Sequence, residues 1–487
     1  MARVHGYRAL LGPVRVLGCV RYRALLRRLP DEGRQLVNLE GRSVLVVGLG
    51  ISGYATATAL ASLGARVMVT ESASDDVIES RAERLRAAGA TLETGGHDVA
   101  ALQVDFAIVS PGIPPDAPVM RALRSAGVDL ISEIELAARV ARCDLLAVTG
   151  TNGKTTTTSL LAAMLAEGGI PSTAAGNIGR PLIEAIGEVG DGGAIAVEVS
   201  SFQLETIRTF RPRVAVLLNV AEDHTDWHGS FEAYAAAKAK MIRNQTTEDI
   251  FLYNLDDETA SAIAEGAIAR TIPFSAAGAP PGGIGVAGDR IVWSGDDLLG
   301  VDDLPLLGSA GLEDSIAAAG AALAYGVERA AVLRALRGFR PLSHRLELVA
   351  EVHGVRYIDD SKATNPHATL AAVRGMSDVV LIAGGRSKGI DLSSLSGTVP
   401  PVVAVIAIGE SRDEVERAFH GRAPVEIADS MGEAVRFASK LATRGGSVLL
   451  SPGCASLDMY QNYAQRGEDF ARAVKQLVEG GRGDGES

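Results

Sequence analysis

Leu145-Leu146-Ala147-Val148-Thr149-Gly150-Thr151-Asn152-Gly153-Lys154-Thr155-Thr156 is the stretch whose reading decides the fold. The aliphatic run Leu145–Val148 reads as a buried strand, and a helix is expected over Thr157–Ala166. Strand, glycine loop and helix in that order make a cradle for phosphate. Backbone N–H groups gather at the helix N-terminus, Lys154 adds a positive charge, and Thr155 offers a hydroxyl to a metal ion. The general P-loop pattern has glycine where this chain has Val148, a departure outside the loop Gly150–Thr156.

Working outward, a second glycine turn lies upstream. The strand Ser43–Val47 enters Gly48-Leu49-Gly50-Ile51-Ser52-Gly53, a helix follows over Tyr54–Leu63, and the strand Arg66–Thr70 ends at Glu71. Taken alone, this turn fits a dinucleotide site with Glu71 on ribose, as in a nicotinamide oxidoreductase, and equally a tight turn with no ligand. Downstream, strands are expected at Ala194–Val199, Val214–Asn219 and Ile250–Asn254. Phe274–Gly308, rich in Gly, Pro and Asp, reads as hairpins and loops around a strand at Arg290–Trp293, ahead of an Ala-rich helix Ser315–Tyr325. A third beginning comes after Phe339-Arg340-Pro341, with strands Val355–Asp359, Val379–Ala383, Val402–Ile408 and Ser447–Leu450. The alternation is that of α/β domains with parallel sheets, and boundaries fall near residues 144 and 340.

Composition agrees and excludes other classes. The 487 residues are 47% hydrophobic but only 4% aromatic, as aliphatic parallel strands require. A net charge of −12 argues against a nucleic-acid surface. Three scattered cysteines (Cys19, Cys143, Cys454) form no metal pair and point to a reducing, cytoplasmic setting. No apolar run is long enough to span a membrane, so no integral membrane association is expected. The first forty residues carry eight arginines among Leu and Val; Arg15 interrupts what a secretory signal would keep apolar, and a flexible extension is expected there.

Further chemistry sits at strand ends. Glu198 closes an apolar strand, where α/β sites lie, and His224 sits among Glu222, Asp223 and Asp226. Either alone would be a solvated side chain. With a phosphate loop they make a metal–nucleotide site.

The motifs then resemble, in order, those of the Mur ligases and their folylpolyglutamate synthetase relatives. The loop Gly150–Thr156 is joined by Gly176-Asn177-Ile178-Gly179, Glu198-Val199-Ser200-Ser201-Phe202-Gln203-Leu204, Asn219-Val220-Ala221-Glu222-Asp223-His224 and Tyr234-Ala235-Ala236-Ala237-Lys238-Ala239-Lys240. Ser343-His344-Arg345-Leu346-Glu347, Asp359-Asp360-Ser361-Lys362-Ala363-Thr364-Asn365, Gly384-Gly385-Arg386-Ser387-Lys388 and Ser451-Pro452-Gly453-Cys454-Ala455-Ser456 complete the series. The last motifs are most similar to those of the D-glutamate-adding branch; the Asp-Asn-Pro-Arg type run of the diaminopimelate- or lysine-adding branch is missing.

The resemblance implies a three-domain α/β architecture: residues 41–143 a Rossmann-like domain for a UDP substrate, 144–340 a P-loop ATPase-like domain, and 341–480 a Rossmann-like amino-acid domain, between a basic extension 1–40 and a tail 481–487. It implies ATP-dependent addition of D-glutamate to UDP-N-acetylmuramoyl-L-alanine in cytoplasmic peptidoglycan synthesis, by a monomer. Gly150, Thr151, Asn152, Gly153, Lys154, Thr155, Thr156, Arg345 and Asp360 would bind ATP. Asp314 would stand at the adenine where the family has asparagine, able to accept a hydrogen bond but, as a carboxylate, not to donate one. Ser52, Gly53, Asn177 and Ser200 would face the UDP substrate, and Lys362, Thr364, Lys388, Ser456 and Tyr463 the D-glutamate. Of two magnesium ions, one would lie on Thr155 and Glu198. The other would lie on His224 and on Lys238 carbamylated by CO₂, with Lys240 the alternative lysine. Another Mur-type or folylpolyglutamate ligase is the nearest competing expectation.

Overall fold

A computed structural model describes residues 39–97, 103–306, 308–340, 342–387 and 389–480. The expected extension lies outside these residues except for its last two positions, and Lys388 and the tail 481–487 also lie outside them.

Three sheets organise the chain. The first holds β1 (Ser43–Val47), β2 (Arg66–Glu71), β3 (Thr91–Thr94), β4 (Phe106–Val109) and β5 (Leu130–Ser132), in the order β3-β2-β1-β4-β5 and parallel throughout. The second has nine strands: β6 (Asp144–Thr149), β7 (Ser172–Gly176), β8 (Ala194–Glu198), β9 (Val214–Leu217), β10 (Ile250–Asn254), β11 (Arg270–Ser275), β12 (Ile284–Ala287), β13 (Arg290–Trp293) and β14 (Asp296–Gly300). Its order is β14-β13-β12-β11-β10-β9-β6-β8-β7, with an antiparallel end at β12–β14. The third holds β15 (Glu347–Val352), β16 (Val355–Asp359), β17 (Val379–Gly384), β18 (Val402–Ile408), β19 (Val425–Ile427) and β20 (Ser447–Leu450), in the order β15-β16-β20-β17-β18-β19, with only β15 antiparallel.

The third sheet shows why these sequences make strands. Successive residues of β17 alternate between two apolar layers, Val380 and Ile382 on one face, Val379, Leu381 and Ala383 on the other. Both faces are covered, so the strand is apolar at every position rather than at every second one. Each such aliphatic side chain contributes roughly 1.5–3 kcal/mol when fully buried.

Contacts divide the chain into two compact units. One takes the described residues up to Val148 with Gly169–Ala215 and Ala236–Asp249; the other takes Thr149–Gly168, Val216–Ala235 and everything described from Ile250 onward.

Five expected strands, β1, β10, β13, β16 and β18, have the bounds read from the sequence, as does β20. Three helices begin earlier than expected, at Ile51, Lys154 and Gly308 instead of Tyr54, Thr157 and Ser315. The expectation waited for apolar residues, whereas the backbone turns helical directly after its glycine; Gly153, at φ +83°, is the left-handed residue that permits this. β8 stops at Glu198 and β9 at Leu217, so Val199 and Asn219 belong to loops.

Candidate active site

In the first unit the glycine turn after β1 is shaped by steric necessity. A Cβ on Gly53 would run into the Gly48 carbonyl, and one on Gly48 would meet Ser110 Oγ at 2.6 Å. Glu71 closes the turn: its carboxylate accepts Leu49 N at 2.6 Å and Ala73 N at 2.9 Å. Burial raises the Glu71 pKa, but these backbone donors outweigh it and hold the carboxyl below the usual range. Glu71 therefore holds the loop's own backbone. Ser52 is the second residue of the helix Ile51–Ser62, half-buried beside the buried Gly53.

Gly176 and Glu198 end the neighbouring strands β7 and β8 in register. Asn177 follows, and its Nδ2 donates to Glu198 Oε1 at 2.9 Å while its backbone N–H donates to Glu198 O at 2.9 Å. Glu198 is 3% exposed, and its Oε2 is buried with no hydrogen-bond partner among the described residues. A buried carboxylate oxygen left over in this way suits a cation. Ser200 forms a capping box with Gln203 at the start of the helix Ser201–Glu205, so its hydroxyl serves the helix. Lys238 is 2% exposed, near the end of the helix Phe231–Ala239. Lys240 is half-buried and donates to Glu205 O at 3.2 Å.

In the second unit the phosphate loop is fastened at Gly150, Thr151, Asn152 and Lys154. Asn219 Oδ1 accepts Thr151 N at 3.1 Å and Asn152 N at 2.8 Å. Thr151 Oγ1 lies 3.1 Å from the buried Tyr234 hydroxyl. Lys154 is half-buried as the first residue of the helix Lys154–Glu167, and its Nζ donates to Gly150 O at 2.8 Å and Thr151 O at 2.7 Å. His224 adopts a left-handed backbone, φ 53°, with its N–H on Asp223 Oδ1 at 2.9 Å and its Nε2 3.7 Å from Asp223 Oδ2. A non-glycine residue in that region is held there against a cost of order 1 kcal/mol.

A cavity of about 210 Å³ joins this loop to the third segment, lined among others by Asn152, Gly153, Thr156, Asp314, Arg345, Asp360 and Lys362. Lys362 Nζ is 3.4 Å from Thr155 Oγ1 and 4.9 Å from the Tyr463 ring centroid. Arg345 Nε is buried and accepted by no described residue. Asp314 lies beneath the loop: Thr157 Oγ1 donates to its Oδ1 at 3.2 Å, and a Cβ on Gly153 would collide with that same oxygen. Burial pushes the carboxyls of Asp314 and Asp360 up to about 7 each, against the opposing charge of Arg345.

Such a raised carboxyl makes stability fall as pH rises through about 7, because the folded chain holds a proton that the unfolded chain releases. Asp314→Asn should therefore raise the melting temperature more at about pH 8 than at about pH 4, where the unfolded carboxyl begins to hold its proton as well. A variant that melts no higher than the wild type at the upper pH would overturn this.

Thr364 and Tyr463 are half-buried and Ser456 is 3% exposed. The fully buried Arg466 ties their loops together, with Nε on Ser361 Oγ at 3.0 Å, Nη2 on Ser361 O at 2.8 Å and Nη1 on Cys454 O at 3.0 Å. Burial lowers its pKa to about 10. His344 Nδ1 lies 2.7 Å from Asp359 Oδ2, and that bond raises the imidazole pKa. Asn219, Asn365, His367 and Arg466 were not singled out from the sequence, although Asn219 and Asn365 lay inside quoted motifs, and Asp223 was read only as part of the acidic cluster around His224.

Comparison with known proteins follows the same three segments. Residues 42–132 match the MurD-like N-terminal domain of Mur ligases, 148–321 the Mur ligase middle domain, and 344–454 the Mur ligase glutamate ligase domain. The chain is 44% identical over 449 residues to the UDP-N-acetylmuramoylalanine--D-glutamate ligase of Frankia casuarinae, covering 90% of this chain and 95% of that one. The chain belongs to the Mur ligase family. A second relative of this Mur ligase, the identically named protein of Salinibacter ruber, is 41% identical over 466 residues, covering 92% and 100%. Among solved structures, MurF of Acinetobacter baumannii is similar at a TM-score of 0.59 and 16% identity, covering 94% of this Mur ligase and 98% of that chain. The UDP-N-acetylmuramate-alanine ligase of Thermotoga maritima follows at 0.57 and 18%, covering 90% and 100%. At those identities the likeness carries the three-domain fold alone.

Proposed function

We propose that this Mur ligase forms an amide bond between D-glutamate and UDP-N-acetylmuramoyl-L-alanine, converting ATP to ADP and phosphate. The observation that carries the reading is the cavity in which the phosphate loop meets Arg345, Asp360 and Lys362. The names of the relatives supply the two substrates that are joined.

A carboxylate is a poor acyl donor because oxide is a poor leaving group. Its oxygen therefore attacks the γ-phosphorus of ATP and ADP departs; the D-glutamate amine then attacks the acyl carbon, loses a proton, and phosphate leaves. Two anions meet in the first step. Lys154 and Arg345 offset their charge, and the N–H groups of the loop hold the phosphates. Lys362, next to Thr155, lies where the phosphorylated carboxyl and the incoming amino acid meet. Thr155 and Glu198 would hold one magnesium ion and His224 with carbamylated Lys238 another, supplying charge neutralisation; the unpartnered Glu198 Oε2 fits that assignment. Asp314 supports the loop from below in this reading, and its neutral form would spare the phosphates a nearby negative charge. Ser52, Gly53 and Asn177 face the UDP substrate, and Thr364, Lys388, Ser456 and Tyr463 the D-glutamate.

The test is phosphate release with UDP-N-acetylmuramoyl-L-alanine and each glutamate enantiomer. Release with D-glutamate and none with the L form is expected; equal release with both would overturn the assignment. Lys388→Ala should raise the KM for D-glutamate roughly 10- to 150-fold, the loss of one charge-assisted hydrogen bond of about 1.5–3 kcal/mol, with the other two KM values unchanged. Equal damage to all three substrates would place Lys388 in the framework instead.

A further inference from the structure

The buried side chain of Asn365, 3% exposed, uses both ends of its amide. Its Oδ1 accepts Ala368 N at 2.9 Å and so caps the helix Pro366–Val373. A backbone N–H can only donate, which fixes the oxygen towards the helix and the NH₂ group away from it. That NH₂ donates to Asp223 Oδ2 at 3.1 Å and to Asn152 Oδ1 at 3.3 Å. Asn152 Nδ2 returns a weaker contact to Asn365 Oδ1 at 3.4 Å and lies 2.9 Å from His367 Nδ1. One side chain therefore touches the phosphate loop, the residue that holds the His224 backbone, and the helix that begins just after Lys362 and Thr364.

We propose that Asn365 is a positioning residue that aligns the amino-acid loop with the phosphate loop and the His224 segment. This rests on the reading above that Lys362 and Thr364 face D-glutamate. A cap alone needs only an acceptor, and Asp, Ser or Thr would serve as well. The donor on the other side is what Asp223 requires, since a carboxylate offers no hydrogen.

The polarity of that bond gives the test. Asn365→Asp keeps shape and cap but sets a second carboxylate against Asp223. Asp223→Asn with Asn365→Asp restores a donor and an acceptor in reversed order. The wild type, the single variants Asn365→Asp and Asp223→Asn, and the double variant are assayed as full chains for phosphate release and for thermal unfolding. The single Asn365→Asp change is expected to lower kcat at least about tenfold and to raise the KM for D-glutamate, with the KM for the UDP substrate within about twofold of wild type. The double variant is expected to regain activity over Asn365→Asp, and the melting temperatures to show positive coupling between the two positions. Wild-type kinetics in Asn365→Asp, a double variant no better than that single variant, or a parallel rise in every KM would overturn the proposal. A wild-type chain inactive with D-glutamate would instead overturn the functional reading, and the unfolding cycle would still decide whether positions 223 and 365 are linked.

Discussion

Lys154→Ala is expected to release no measurable phosphate. Its ammonium lies at the start of the helix Lys154–Glu167, where the partial positive charge of the helix and the N–H groups of Gly150–Thr156 already favour phosphate. Removing a single preorganised donor to developing charge typically costs 10²–10³ in rate, about 3–4 kcal/mol. Here the loss is compounded. Nζ also holds the carbonyls of Gly150 and Thr151, so the loop loses its shape along with its charge. The fold should survive with a lowered melting temperature, because Asn219 still fastens Thr151 and Asn152. Lys154→Arg should also be poor, since a planar fork cannot place its charge where the compact ammonium sits. The measurement is phosphate release beside a thermal melt; wild-type turnover in a folded Lys154→Ala protein removes the residue from the mechanism.

Lys238→Ala is expected to be nearly inactive and to regain turnover when a small carboxylic acid such as acetate or formate is added. The hypothesis is a carbamate on Lys238. Lys238 lies four residues after Tyr234 near the end of the helix Phe231–Ala239, is 2% exposed, and the neutral amine is the form that combines with CO₂. Activity should therefore fall in CO₂-depleted buffer, most at low pH, where the amine is protonated. Lys238→Arg should not be rescued, because the guanidinium fills the space and carries the wrong sign. Full activity in Lys238→Ala, or rescue of Lys240→Ala in its place, would show that the wrong lysine was chosen. Lys240, the alternative lysine on spacing from Tyr234, donates to the Glu205 carbonyl.

Where the sequence spoke clearly, it did so through local signals. Leu145–Val148 running into two glycines and a lysine needed no tertiary information, and the aliphatic strands β10, β16 and β18 carried their own bounds. Ser200 carries a second local signal: with Gln203 it has the spacing of a capping box, and its hydroxyl accepts the Gln203 N–H of its own helix. Asn219 and Asn365 were hidden for the opposite reason. Each acts on Asn152 from far along the chain, and an asparagine between strand and helix reads as an ordinary turn or cap until folding brings it there. Asp314 was legible as a departure from the family's asparagine, but its place beneath Gly153 depended on the packing of the helix Gly308–Tyr325.

The helix Glu133–Val140 carries one more lesson, about where this protein can be cut. Glu135 is fully buried; its carboxylate takes N–H bonds from Arg208, Thr209 and Phe210 and further bonds from Thr209 Oγ1 and Arg139 Nε, which outweigh burial and hold its pKa down. Four of those five donors lie beyond residue 143, the seam suggested by sequence. Scissors applied there would leave the fragment with a carboxylate stripped of most of its ligands, and the remainder with three backbone amides facing nothing. An expression unit for the N-terminal end is better drawn to include residues 208–210 than to stop at residue 143.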